Sequence, residues 1–271
     1  DLGVVNSSFG MNFGDYLLKE TADCIRRAME PEQRLFRLVS DQFIITDMSG
    51  RSIRDAKQLY DRIRMEISSW VEAHQYQILF TVSAGIIGTG GRVNDYDQML
   101  KYLEFSLNKA KRAGKNESYV FAEQDYEAWR RRQRLAKQLL YAVNNGYEGF
   151  EVYYQPVMNA PEHHLLSAEA LMRFYIPAEA VSPYDSSEKE RRMVSPEEFI
   201  PILEESGLII PAGRWLLHKA AADCKKWQKD CPGMRVQVNV SYVQVAKANV
   251  LREIRDALEE SGLPAECMGV E

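Results

Sequence analysis

The alternation of strand-like and helix-like segments after residue 146 constrains the fold of this chain more than any other feature. "FEVYYQPV" and "LLSAEALMRF" are rich in the apolar, aromatic and β-branched residues typical of strands. Helical patterns follow over about 196–206 and 211–230, then come the strand "MRVQVNVS", a helix over about 244–261 and the start of a strand at "CMGVE". This order predicts a parallel sheet with crossover helices, in which functional groups gather at the carboxyl ends of the strands.

Three polar residues stand at or near such strand ends, namely Glu169, Asn239 and Glu271. Two carboxylates and an amide form an all-oxygen ligand set, which hard cations such as Mg²⁺ or Mn²⁺ prefer. Buried polar residues in strands are also often structural. From the residues alone, both interpretations stay open.

The first part of the chain follows a different plan. Helical periodicity runs from about Asp15 to Met29, and "RLFRLVSDQFIITD" is typical of a hairpin. "QILFTVSAGII" predicts a buried strand, and a helix is expected over about Tyr96 to Arg112. These elements predict an α/β sandwich of about 120 residues. A charged helical pattern then covers residues 122–146, either as a connector between domains or as the last helix of the first domain.

Charge and cysteine content exclude several classes of protein. From Gly146 onward there are 13 Lys/Arg against 20 Asp/Glu, a net charge of −7, whereas nucleic-acid binding needs a basic surface. No apolar run approaches the roughly 20 residues that span a bilayer, so any membrane segment is expected outside this chain. Four cysteines without a CxxC pair indicate reduced thiols. We expect a cytoplasmic protein, either free or as the cytoplasmic part of a membrane sensor.

Five blocks of the second part occur together in one order and spacing: "YYQPV", "AEALMRF", "SPEEFIPILEESGLIIPAGRWLL", "VQVNVS" and "SGLPAECMGVE". They resemble the EAL domain family, cyclic di-GMP phosphodiesterases built as a modified TIM barrel. The resemblance implies two sets of site residues. The metal ligands would be Glu169, which is also catalytic, Asn239 and Glu271. The residues in contact with the dinucleotide would be Gln155, Leu171, Arg173 and Pro201.

The activity implied is metal-assisted hydrolysis, in which two Mg²⁺ or Mn²⁺ ions promote opening of cyclic di-GMP to the linear dinucleotide. Residues 147–271 would be the N-terminal half of such a barrel, without the family's later aspartates, lysine and glutamate. We therefore expect this span alone to be inactive, and its second half to be unfolded or aggregated unless more chain completes the barrel. Two alternatives stay open: a non-catalytic cyclic di-GMP receptor, and a purely structural dimerisation module.

The first part contains "NSSFGMNFGDYLL", "RLVSDQFII", "FTVSAGII" and "SLNKAKRAGKN", which resemble the GGDEF domain of diguanylate cyclases. That family carries Gly-Gly-Asp/Glu-Glu-Phe at a hairpin tip, where this chain has Val39, Ser40, Asp41, Gln42 and Phe43. Side chains replace both glycines, and a neutral amide replaces an anionic metal ligand.

We therefore expect a catalytically inactive GGDEF domain that is regulatory, with GTP as a candidate ligand, or that scaffolds a homodimer. The domain boundaries expected are 1–121 for this domain, whose start is missing, 122–146 for a helical linker and 147–271 for the EAL domain.

Overall fold

The computed structural model describes residues 2–75, 80–88, 95–159, 164–176 and 191–271. The chain divides into two compact units, Asp1–Ala128 and Trp129–Glu271. Each unit combines helices with β-sheet, in agreement with the predicted α/β class. Among the described residues, no helix combines the length and the apolar character needed to cross a membrane.

The first unit contains four complete helices and four short strands in its described residues. In chain order these are α1 (Leu2–Phe9), α2 (Met11–Ala28), β1 (Gln33–Arg37), β2 (Phe43–Asp47), α3 (Ile53–Ala73), β3 (Ala84–Ile86), α4 (Tyr96–Arg112) and β4 (Ser118–Val120). Helix α5 (Glu123–Asn144) begins in this unit and occupies the segment for which the sequence predicts a helix. Apolar faces of α2 and α3 form the main core, with Leu17, Ile25, Ile63, Ile67 and Trp70 among its buried residues.

The predicted hairpin is present, since β1 and β2 pair antiparallel from Gln33↔Asp47 to Arg37↔Phe43. The strand predicted over "QILFTVSAGII" is wrong in length. Of the described residues of this segment, only Ala84–Ile86 form a strand, which pairs in parallel with Ser118–Val120 of β4. Residues 77–79 of that prediction lie outside the described part of the chain.

The second unit contains one sheet flanked by helices. After α5 come β5 (Phe150–Asn159), β6 (His164–Ile176), β7 (Arg192–Val194), α6 (Pro196–Ser206), α7 (Ile209–Trp227), β8 (Arg235–Val238), α8 (Tyr242–Lys247), α9 (Val250–Ser261), a short 3₁₀ turn (Ala265–Cys267) and β9 (Met268–Val270). The strand order is β5-β6-β8-β9, and β7 pairs with β6. Strands β6, β8 and β9 are parallel as predicted, whereas β5 and β7 run antiparallel to β6. Over the described ranges the sheet is open.

Alternation along β6 sets the two faces of this sheet. The even-numbered residues from Ala168 to Ile176 are buried, and they pack against the apolar faces of the helices. Tyr154 of β5 reaches the same layer, where its hydroxyl donates to Asp223 Oδ2 of α7 at 2.9 Å and its ring meets the edge of Trp227. The odd-numbered residues of β6 therefore lie on the opposite face, which the helices leave open.

The single helix predicted over 244–261 is wrong. The chain forms α8 and α9 instead, and they are separated at Ala248–Asn249. Asn249 is the N-cap of α9, where its Oδ1 accepts from the amide of Arg252 at 3.1 Å. This cap offers the backbone a local alternative to continuous helix, so the helical direction changes without glycine or proline.

Candidate functional site

The open face of the second unit's sheet carries most of the site residues predicted from the sequence. Glu169, Leu171 and Arg173 follow one another at alternate positions of β6, and each is half-buried. Gln155 of β5 lies directly opposite Glu169 in the antiparallel register. Side chains opposite each other in such a pair share a face, with Cβ atoms about 4.5–5.5 Å apart. The structure therefore brings an amide, a carboxylate and a guanidinium onto one surface.

Asn239 contacts Glu169 from the side of β6 opposite to β5. It follows β8 directly, and its Nδ2 donates to Glu169 Oε1 at 2.7 Å. The loop that carries it is fixed by a capping box at the start of α8. There the Ser241 hydroxyl accepts from Val243 N, and Gln244 Oε1 accepts from Ser241 N at 3.1 Å. The Ser241 hydroxyl also donates to Glu204 Oε1 at 2.5 Å. These bonds restrict the backbone two residues after Asn239.

Glu271 continues the ladder between β8 and β9 by one residue. Its amide donates to the carbonyl of Val238 at 3.1 Å, and its carbonyl accepts from the amide of Val240 at 2.8 Å. In a parallel ladder this pattern pairs Glu271 with Asn239. Glu271 therefore follows its strand at the same sheet edge as Asn239, and its side chain is exposed.

The donor set at this edge fits a hard divalent cation by its chemistry. Among the described residues, no three His, Cys, Asp or Glu side chains form a metal-holding group. The set here consists of two carboxylates and one amide, and Mg²⁺ or Mn²⁺ accepts all of these oxygens. A cation shared by Glu169 and Asn239 would replace their hydrogen bond, because the amide would have to present Oδ1 instead of Nδ2.

Arg173 stands two positions beyond Leu171 and adds a guanidinium to this face. Its guanidinium carbon lies 5.5 Å from the centre of the Tyr153 ring, and Nη1 donates to the carbonyl of Met172 at 2.9 Å. Within the part of the chain that the structure describes, Arg173 forms no ion pair with a carboxylate. Most of its N–H donors remain available for an anionic ligand.

Sequence reasoning missed a cluster next to Arg173. The hydroxyls of Tyr153 and Tyr175 are 2.7 Å apart, and this hydrogen bond, together with partial desolvation, raises the pKa of Tyr175. Arg191 stacks on the Tyr175 ring and forms an ion pair with Glu151. The odd-numbered spacing of Tyr175 on β6 could have placed it on this face, but no local signal identifies Arg191.

Pro201 is the one predicted contact that lies on another layer. It stands inside α6, a helix whose neighbouring residues Phe199, Ile202 and Leu203 are buried against the sheet. Its role as a ligand contact stays a prediction.

In the first unit, four of the five predicted hairpin residues, Val39 to Gln42, lie in the tight turn between β1 and β2, and the fifth, Phe43, begins β2. Ser40 has a φ of 52°, a left-handed conformation that is favourable for glycine and costly for other residues. Arg37 holds the turn by donating from Nε and Nη2 to the carbonyl of Ser40 at 3.2 and 3.0 Å. Gln42 closes it by donating from its amide to the carbonyl of Val39 at 2.9 Å. Val39 and Asp41 are exposed, while Gln42 and Phe43 are half-buried.

A pocket of about 340 Å³ lies beside this hairpin. Residues of α2 line one side, and Leu35, Arg37 and Phe43 line the other. The hairpin therefore still borders a pocket. Its tip carries one acid, Asp41, and lacks a second.

The two units match two known families. Residues 136–271 match the EAL domain family, and residues 2–117 match the family described as diguanylate cyclase, GGDEF domain. The chain is 27% identical over 257 residues to the bifunctional diguanylate cyclase/cyclic di-GMP phosphodiesterase MucR of Pseudomonas aeruginosa, a match that covers 94% of this chain and 35% of MucR. It is 26% identical over 256 residues to the cyclic di-GMP phosphodiesterase PdeR of Escherichia coli, with 94% of this chain and 36% of PdeR covered.

The chain spans about a third of the length of these relatives. Among solved structures, the EAL domain of Xanthomonas citri FimX in complex with c-diGMP aligns with a TM-score of 0.41 and 24% identity, covering 54% of this chain and 51% of that one. The family matches confirm both resemblances found in the sequence motifs. The chain therefore belongs to the EAL domain family and carries a GGDEF domain ahead of its EAL domain.

Proposed function

We propose that the complete protein is a cyclic di-GMP signalling protein whose EAL domain hydrolyses cyclic di-GMP to the linear dinucleotide. The observation that carries this proposal is the 2.7 Å contact between Asn239 and Glu169, on the sheet face that also presents Gln155 and Arg173. This face combines oxygen donors for a cation with a guanidinium for a phosphate. A guanidinium binds phosphate oxygens, and a bound divalent cation would polarise the phosphodiester and lower the pKa of an attacking water.

Each side chain has a distinct role in this proposal. Glu169, Asn239 and Glu271 would hold Mg²⁺ or Mn²⁺, which when bound supplies positive charge for phosphoryl chemistry. Arg173 would bond two phosphate oxygens through its fork of N–H donors and fix the orientation of the dinucleotide. Gln155 and Leu171 would border the ligand on the same face. Pro201 would contact it from α6.

The GGDEF domain has a regulatory role and no cyclase activity in this proposal. The hairpin turn survives with Ser40 in a left-handed conformation, but Gln42 offers a neutral amide where an anionic metal ligand is needed. We assign residues 1–121 to this domain, 122–146 to a helical linker and 147–271 to the EAL domain. GTP at the GGDEF domain, a homodimer and a cytoplasmic location belong to the same proposal.

A non-catalytic cyclic di-GMP receptor is the second candidate, and the position of Arg173 favours it. Within the described residues Arg173 forms no ion pair with a carboxylate, and Gln155 shares its sheet face. Both side chains would bind the dinucleotide whether or not a cation is held beside them. A receptor needs binding and a change of conformation, but no turnover.

Chromatography of the complete protein incubated with cyclic di-GMP and Mg²⁺ or Mn²⁺ separates these candidates. Release of the linear dinucleotide supports the phosphodiesterase. Binding without turnover, measured by calorimetry on the same preparation, would replace it with the receptor. A folded protein that neither binds nor hydrolyses cyclic di-GMP would leave only a structural module and refute the proposed function.

A further inference from the structure

We propose that Arg191 is a positioning residue that keeps Arg173 available for phosphate by engaging Glu151, the carboxylate opposite Arg173. This inference rests on the proposed function, since it concerns how the EAL domain holds the phosphate of cyclic di-GMP. Arg191 lies outside the sequence blocks that resemble the EAL family.

The strand register places a competitor beside Arg173. Glu151 of β5 is its direct partner across the antiparallel pair with β6. Directly opposite side chains have Cβ atoms about 4.5–5.5 Å apart, within reach of an ion pair between these two long side chains. A Glu151 carboxylate without another partner would attract the Arg173 guanidinium and repel an incoming phosphate.

Arg191 prevents that competition. Its Nη1 forms an ion pair with Glu151 Oε1, and its guanidinium carbon lies 4.3 Å from the centre of the Tyr175 ring. Stacking on an aromatic ring restricts the guanidinium and supports this position. Tyr175 is itself fixed by its hydrogen bond to Tyr153. The Glu151 carboxylate is thereby neutralised by Arg191.

The contacts of the Arg173 side chain agree with this arrangement. Although Glu151 lies opposite, Arg173 donates to the backbone carbonyl of Met172 and lies over the Tyr153 ring. In the described ranges it has no carboxylate partner, whereas Glu151 is paired with Arg191. The two guanidiniums are thus separated by two hydrogen-bonded tyrosines, with one bound to Glu151 and the other directed to the open face.

Binding of cyclic di-GMP to the complete protein, measured by calorimetry in the presence of a chelator so that no turnover occurs, tests the inference. Arg191→Ala should weaken binding about three- to tenfold, because Glu151 then pairs with Arg173. The double variant Arg191→Ala/Glu151→Gln should restore binding to within about twofold of wild type, since it removes both members of the pair. Both side chains are partly exposed, so thermal unfolding should change little.

Arg132→Ala is the matched control, because it breaks the Arg132–Glu205 ion pair at 2.8 Å in the same unit and should leave affinity unchanged. Unchanged affinity in Arg191→Ala would overturn the inference and leave the proposed function standing. Weakened affinity that Glu151→Gln does not restore would show that Arg191 contacts the ligand itself, which also overturns it. A folded wild-type protein that binds no cyclic di-GMP would refute the inference together with the proposed function.

Discussion

Replacement of Gly213 by alanine should loosen the loop that carries Asn239. A Cβ built on Gly213 would lie 2.2 Å from Nε2 and 2.6 Å from Cδ of Gln244, far inside normal contact distance. Gln244 is 1% exposed, so its amide has no free space nearby. Its Oε1 also accepts from the amide of Ser241, two residues after Asn239. The added methyl group must therefore displace a side chain that holds this loop.

The size of the effect follows from three contributions. Overpacking of a filled core position costs about 1–3 kcal/mol. Loss of the capping box at the start of α8 costs about 1 kcal/mol. Alanine in place of glycine within helix α7 contributes about 1 kcal/mol in the opposite direction. The net expectation for Gly213→Ala is destabilisation by about 1–3 kcal/mol.

The assay is thermal unfolding of the complete protein, combined with hydrogen exchange of the amides in α8, for both single variants and the double variant. In the Gln244→Ala background the clash is absent, so Gly213→Ala should be neutral or stabilising there. This reversal of sign separates the steric mechanism from a general effect of substitution in α7. Equal destabilisation by Gly213→Ala in both backgrounds would refute the reasoning.

Three further outcomes are expected. The complete protein should form no cyclic di-GMP from GTP with Mg²⁺ or Mn²⁺, and Ser40→Gly should not restore activity because Gln42 remains neutral; labelled product above background would contradict this. Hydrogen bonds from Ser49 and Gln33 lower the pKa of Asp47 from 3.8 to about 2, so its stabilisation is complete above its ordinary pKa and is lost as the pH falls towards 2. In acid unfolding, Asp47→Asn should be less stable than wild type above the ordinary pKa of Asp47, and this difference should disappear as the pH falls towards 2. Asn249→Ala should destabilise α9 by about 1 kcal/mol in denaturant unfolding, and an unchanged midpoint would contradict the cap.

The faces of the sheet could be predicted from the sequence, because strand geometry fixes them. From Ala168 to Ile176, small or apolar side chains alternate with a series that includes the predicted site residues Glu169, Leu171 and Arg173, and a period of two assigns the two series to opposite faces in any sheet. Prediction of the contact between Asn239 and Glu169 also requires that β6 and β8 are parallel. The strand–helix–strand order of the sequence indicates this.

Other features depended on partners far along the chain. The apolar run before Ile86 predicts a long strand, yet among the described residues β3 contains only the three that pair with β4. The break between α8 and α9 has no glycine or proline to announce it, because asparagine is tolerated both inside helices and at their caps. The pairing of Arg191 with Glu151 joins residues 40 positions apart and depends on register and side-chain conformation together. No local pattern encodes such a pair.

Hydrolysis of cyclic di-GMP through Glu169 is tested by the rate of linear dinucleotide release from the complete protein and from its Glu169→Gln variant, with Mg²⁺ or Mn²⁺ present. The substitution keeps the shape of the side chain and its place beside Asn239 but removes one negative charge from the proposed metal ligands. We expect hydrolysis by wild type and a loss of at least about a hundredfold in kcat for the folded variant, with partial retention of binding through Arg173 and Gln155. Hydrolysis at the wild-type rate by folded Glu169→Gln would contradict this expectation.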